Sequence, residues 1–139
     1  MPNKNLETYI LRELYSHEIF MRKSYAEQLK LLPPGIIKEA LERIHKDEIR
    51  HCESFKKLLK ELDHNWDGKT REIKHRSWNK ENIKEMLEFD QRMEEELEGS
   101  YMENLNKLEL EKEINEDIVK IMKETHAHSE VLKILLAEM

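Results

Sequence analysis

The sequence predicts an all-α protein, a four-helix bundle of two helical hairpins joined by a long crossover, in one domain over residues 1–139. Three observations predict it. Only 3 Gly and 3 Pro interrupt a chain rich in Glu, Lys and Leu, a composition of long helices rather than short strands. Apolar residues recur at steps of three and four along four segments, the spacing of one helix face. The three connections between those segments carry breakers or polar turns.

The first helix is expected from about Leu6 to Leu32, with Asn5 as its cap, and Pro33-Pro34-Gly35 ends it, since proline lacks the amide donor and disfavours helix in the residue before it. The second runs from about Ile36 to Leu62. Residues 63–79, with Asn65, Gly68, Thr70 and Ser77, carry no sustained apolar stripe and are too long for a tight turn, so they read as a crossover along the bundle. Trp66 and Trp78 flank its short basic run, Lys69 to Arg76, and anchor it. The third helix runs from about Lys80 to Leu108 and the fourth from about Asn115 to the end, joined by a short polar turn.

Each helix has a traceable inward stripe. The first reads Leu11, Leu14, Glu18, Met21, Tyr25, then Gln28 or Leu29; the second Ile37, Leu41, Ile44, Glu48, His51, Phe55, Leu58, Leu62. The third reads Ile83, Leu87, Asp90, Glu94, Leu97, Tyr101, Leu105, Leu108; the fourth Ile114, Ile118, Ile121, Thr125, His128, Leu132, Leu135, Met139. All four are broken by polar groups at mid-height, where antiparallel packing makes them meet. Buried carboxylates must protonate, pair or bind metal. No Lys or Arg lies on these stripes, so a metal cation is the expected counter-charge. An inward Arg22 or Arg92 would instead make the layer a purely structural one.

Glu48-Ile49-Arg50-His51 places a carboxylate and an imidazole on one helix face, about 4.5 Å apart in rise, so both can hold one ion. Carboxylates with imidazoles and no thiolate suit iron or manganese, and zinc is compatible. The single cysteine, Cys52, excludes an intramolecular disulfide and any multi-cysteine metal site. With 24 Lys and Arg against 30 Asp and Glu, the formal charge is −6, which argues against nucleic acid or an anionic membrane as partner. The start, Met1 to Asn5, lacks a signal peptide's apolar run, and no stretch approaches a membrane span, so the expected setting is cytoplasmic.

These residues resemble the ferritin-like di-iron carboxylate superfamily, especially its rubrerythrin and bacterioferritin branches. The resemblance rests on Glu18 with Tyr25 seven residues later, on Asp47-Glu48-Ile49-Arg50-His51, and on Glu94 with Tyr101 seven residues later. Glu95 competes with Glu94 for the third-helix position, because Glu94-Glu95-Glu96 leaves the register open. The resemblance implies a ferritin-like bundle holding two irons, with Glu18 and Glu94 as terminal ligands, Glu48 bridging, and His51 and His128 capping. It implies oxidation by peroxide or dioxygen, as in a peroxidase or ferroxidase, an external electron donor, and a homodimer. Tyr25 and Tyr101 would bond the ligands, carry an electron, or simply fill the core.

The fourth helix departs from the family pattern. Thr125, not Glu, stands three residues before His128, where the family places a second bridging carboxylate. Glu124 would reach the site through a one-residue rotation or a π-bulge, or His126 would turn inward, or the second metal would be lost. A metal store without turnover and a metal-free interaction bundle are the other two expectations.

Overall fold

The computed structural model describes residues 4–139, so the expectation about Met1 to Asn3 lies outside the described residues. Helix α1 spans Lys4–Leu29, α2 Ile36–Leu62, α3 Ile83–Leu105 and α4 Lys112–Ala137. A single 3₁₀ turn, Lys80–Asn82, leads into α3. The architecture is the expected four-helix bundle: α1 packs on α2 and α3 on α4 as two hairpins.

Several boundaries differ from the sequence reading. Asn5 is inside α1, not its cap. That helix stops at Leu29, where Lys30 and Leu31 tighten into bonds to Glu27 and Gln28, and Leu32 is buried from the turn that follows. Leu108 likewise is buried from the α3–α4 connection, after α3 has ended at Leu105. Apolar periodicity therefore overran both helix ends, because a buried loop leucine continues a stripe without continuing a helix. Helix α4 starts three residues earlier than expected, at Lys112. Before α2, Gly35 has φ 154°, a conformation that side-chain-bearing residues avoid, which lets the chain reverse after the two prolines. Asn79 accepts from the Glu81 amide at 3.0 Å, and Asn82 Oδ1 accepts from the Asn79 amide at 2.9 Å, a reciprocal cap on the α3 approach.

Cross-helix partners fix the directions. Arg12 meets Asp63 and Glu18 meets His51, so α1 and α2 are antiparallel. Asp47 meets His128 and His51 meets Glu124, so α2 and α4 are antiparallel. Tyr25 meets Glu94 and Tyr101 meets Glu18, so α1 and α3 are antiparallel too. Helices α2 and α3 therefore run the same way, and the chain between them must travel the length of the bundle.

It does so along α1. Trp66 sits edge-on to Tyr15, with ring centroids 5.6 Å apart. The Arg71 amide donates to Ser16 Oγ at 3.0 Å, and the His75 ring stacks on Phe20 at 4.8 Å. Trp78 closes the path against Phe89. Both tryptophans anchor the crossover, as expected. Above and below mid-height the core is mostly hydrocarbon, including Leu11, Leu41, Phe55, Leu59, Leu87 and Leu132, with one enclosed polar pair, Gln28 and Asp90, on the α1–α3 face. No helix among the described residues is long and apolar enough to cross a membrane.

Candidate metal centre

Mid-height in the bundle, Glu18, Glu48, His51 and Glu94 are fully enclosed, and His128 is 4% exposed. Their ligand atoms form two groups, Glu18–Glu48–His51 and Glu48–Glu94–His128, each with its donors within 4.8 Å of one another. Glu48 belongs to both. Its Oε2 lies 3.8 Å from His51 Nδ1 and its Oε1 lies 3.2 Å from His128 Nδ1, so one oxygen serves each half. Glu18 Oε2 is 3.3 Å from His51 Nδ1, and Glu94 Oε2 is 3.6 Å from His128 Nδ1.

Both oxygens of Glu48, Glu94 Oε2 and His128 Nδ1 are buried without a hydrogen-bond partner. Leaving so many buried polar atoms unpaired costs several kcal/mol. Oxygen and nitrogen donors from five residues aimed into one small volume are satisfied by cations, and the donor set fits a divalent or trivalent metal. No Lys or Arg among the described residues ion-pairs with Glu18, Glu48 or Glu94. Arg22 is only half-buried and Arg92 is exposed, so neither supplies the counter-charge.

The two imidazoles are held alike. His51 Nε2 lies 3.1 Å from Glu124 Oε2, and His128 Nε2 lies 2.8 Å from Asp47 Oδ2. An outer N–H donated to a carboxylate leaves the inner Nδ1 lone pair facing the pocket, the tautomer a metal ligand needs. Arg50 joins the two carboxylates: its guanidinium donates to Asp47 Oδ1 at 2.8 Å and to Glu124 Oε1 at 3.1 Å. The result is one chain of polar contacts, His51–Glu124–Arg50–Asp47–His128, across the α2–α4 face.

The terminal carboxylates are braced from the opposite helices. Tyr25 donates to Glu94 Oε1 at 2.9 Å and Tyr101 donates to Glu18 Oε1 at 2.6 Å. Each tyrosine thus serves the glutamate of the other helix, rather than the one seven residues before it. Burial and the neighbouring carboxylates push both phenols well above their usual range, so they stay protonated donors.

The metal-free site carries protons where a cation would sit. Burial, then the charges of Glu18 and Glu94, hold Glu48 protonated well above the ordinary carboxyl range. Burial alone would lower His128, but the bond to Asp47 and the nearby Glu94 carboxylate outweigh it and raise it to about 9. Burial would raise Glu18, yet the protonated Glu48 beside it and the bonds from His51 and Tyr101 bring it down to about 2.

Of the residues expected from sequence, Glu18, Glu48, His51, Glu94 and His128 are brought together. Glu94 is the inward member of its acidic run; Glu95 points out and pairs with Lys133 at 3.0 Å. Glu124 stays at the rim, on His51's outer nitrogen, because α4 is regular α-helix throughout and no π-bulge turns it inward. His126 is exposed and paired with Glu98 at 2.7 Å, not turned inward. Thr125 faces the pocket wall fully buried, its hydroxyl donating back to the Ile121 carbonyl. Sequence reasoning assigned no role to the Asp47 carboxylate or to Arg50. Their signal was the i, i+3 spacing beside Glu48 and His51, one step off the apolar stripe.

Fold and site define a four-helix bundle with a buried carboxylate–imidazole cluster able to hold metal. No family model, curated protein or solved structure matches the chain, so the reading of function rests on these side chains.

Proposed function

We propose that the protein is a ferritin-like, rubrerythrin-like di-iron oxidoreductase that uses peroxide or dioxygen as oxidant. The observation that carries this reading is the set of buried, unpartnered donor atoms on Glu48, Glu94 and His128, arranged about a glutamate common to both groups. In it, Glu18, Glu48 and His51 would hold one ion, and Glu48, Glu94 and His128 would hold the other. Ferrous iron bound there would supply the electrons for reducing peroxide or dioxygen. The chain's own contribution is to fix the ligands. Asp47 and Glu124 set the imidazole tautomers, and Tyr25 and Tyr101 hold the outer carboxylates in place while the hydrocarbon above and below excludes bulk water. Cys52 is the one cysteine, and burial pushes its thiol up to about 12, so electrons for repeated turnover come from an external donor.

Thr125 favours a second reading, a metal store without turnover, since it supplies no second bridging carboxylate. Anaerobic loading with ferrous iron, metal analysis, and addition of stoichiometric peroxide separate the readings. Two irons per chain that oxidise with peroxide support the oxidoreductase. Iron that binds without oxidising supports the store. No iron after anaerobic loading overturns both and leaves a structural bundle.

A further inference from the structure

On the α1–α3 face the Tyr25–Glu94 contact is followed, one helical turn further along, by a second polar rung. Gln28 Nε2 donates to Asp90 Oδ1 at 2.7 Å. Both side chains are enclosed, at 1% and 0% exposure. Two acceptors remain there without a donor, Gln28 Oε1 and Asp90 Oδ2. An ionised Asp90 would leave both unsatisfied and bury a charge with no cation beside it, at a cost of several kcal/mol. The groups around it offer none. From α1 it faces the Gln28 amide and the Tyr25 phenol, from its own helix the Glu94 carboxylate, and the buried acid of α2 nearest this rung is Glu48. The buried α4 side chains of this half, Ser129 and Leu132, are uncharged. A carboxylic acid and a primary amide are planar groups of matching shape. One proton on Asp90 Oδ2, donated to Gln28 Oε1, satisfies both lone acceptors and closes a ring of two opposed hydrogen bonds.

We infer that Asp90 is a neutral carboxylic acid ring-bonded to the Gln28 amide, and that it stores a proton on the Glu94 side of the metal pocket. Burial raises the Asp90 carboxyl well above its ordinary range; the Gln28 bond opposes this and the Glu94 charge adds to it. The neutral state stands on the geometry of the pair, whereas its use as a store rests on the proposed metal centre. Reduction of one peroxide to two waters consumes two electrons and two protons. Bound ferrous iron would supply the electrons; the Asp90 O–H bond breaks to give one proton, and the second proton enters from bulk solvent, so that no hydroxide is left over. The carboxylate left behind is reprotonated from solvent before the next turnover.

Infrared difference spectra of metal-free wild type against Asp90→Asn at pH 7 test the state. The amide side chain introduced there keeps the ring, donating to Gln28 Oε1 where the acid proton did, so the variant folds with unchanged helix content. The expected result is a protonated-carboxyl C=O stretch, shifted by D2O, present only in wild type. Its absence overturns the inference. So does a third equivalent of Mn2+ bound by wild type and lost in the variant, because the two acceptors would then be holding a cation. For the store, iron-loaded Asp90→Asn is expected to oxidise with peroxide about a hundredfold more slowly at unchanged iron content. An unchanged rate overturns it. A wild type that takes up no iron removes the metal-centre reading instead, and the infrared band still decides the state of Asp90.

Discussion

Tyr101 on α3 donates its hydroxyl proton to Glu18 on α1 at 2.6 Å, and both residues are fully buried. The bond ties the two hairpins together through a charge rather than through hydrocarbon. Hydrogen bonds to charged groups contribute about 1.5–3 kcal/mol. Tyr101→Phe is therefore expected to lower the unfolding free energy of the metal-free protein by about 2 kcal/mol, read by urea denaturation, while helix content stays unchanged. A loss no larger than that of an exposed Tyr9→Phe control would show that the bond is not made.

Metal uptake is expected to release protons. Glu48 is held protonated by burial and by the charges of Glu18 and Glu94, and His128 is raised to about 9 by Asp47 and Glu94 against the effect of burial. A cation must displace both protons, so affinity should rise with pH, by about tenfold per unit for the His128 proton below its value of about 9. Calorimetry with Mn2+ in buffers of different ionisation enthalpy counts those protons. A pH-independent affinity with no proton release would contradict the arrangement.

The fold was legible because its signals are repetitive: four stripes, each running over many turns, are set apart by one proline–glycine breaker, one long polar segment and one short polar turn. The site was legible where a ligand lies on a stripe, as Glu18, Glu48, His51, Glu94 and His128 do. Tyr101, seven residues after Glu94, pointed to the register that the acidic run alone left open, and burial decides it in favour of Glu94. What periodicity misses is anything one step off the stripe. Asp47 and Arg50 look like members of a solvated face until α4 is laid beside α2 and His128 reaches Asp47. Which tyrosine braces which glutamate was equally hidden, because it depends on the antiparallel pairing of α1 with α3, which no local pattern encodes.

Arg50 holds Asp47 and Glu124 together, and each of those carboxylates orients one imidazole. Removing an orienting partner costs about 10–100-fold in metal affinity. Arg50→Ala, acting through both carboxylates, should lower affinity by about tenfold. Arg50→Lys should recover little, because a single ammonium cannot reproduce a planar fork that reaches two carboxylates. Competition for metal with a chromogenic chelator measures both variants, and full recovery by lysine would mean that only the charge matters.

The metal-free protein should lose stability as pH rises. His128 has its folded value raised to about 9 from a reference of 6.5, so its contribution is fully present below pH 6.5 and is gone above about 9. That contribution is at most about 3 kcal/mol. Urea unfolding with chelator present at pH 6 and pH 9.5 reads the difference. His128→Gln should flatten the slope between those values, since a neutral amide has no proton to lose.

Glu48→Ala combined with His51→Ala is expected to reduce metal content sharply while the bundle remains helical, because the hydrocarbon core above and below does not depend on the site. Thr125→Glu works in the opposite direction. Thr125 is fully buried on the face of α4 that carries His128, and its hydroxyl is spent on the Ile121 carbonyl. A glutamate there would add a carboxylate beside Glu48, giving the pocket a second group able to join two ions. Metal stoichiometry after anaerobic loading should then rise toward two per chain if wild type falls short of it, and the second ion should be held more tightly. The same change adds another buried acid to a pocket already crowded with them, so without metal the variant should be less stable than wild type by several kcal/mol. A variant that is destabilised when metal-free and rescued by metal shows that the new group faces the ions. Destabilisation with no rescue would place that side chain against hydrocarbon and away from the ligands.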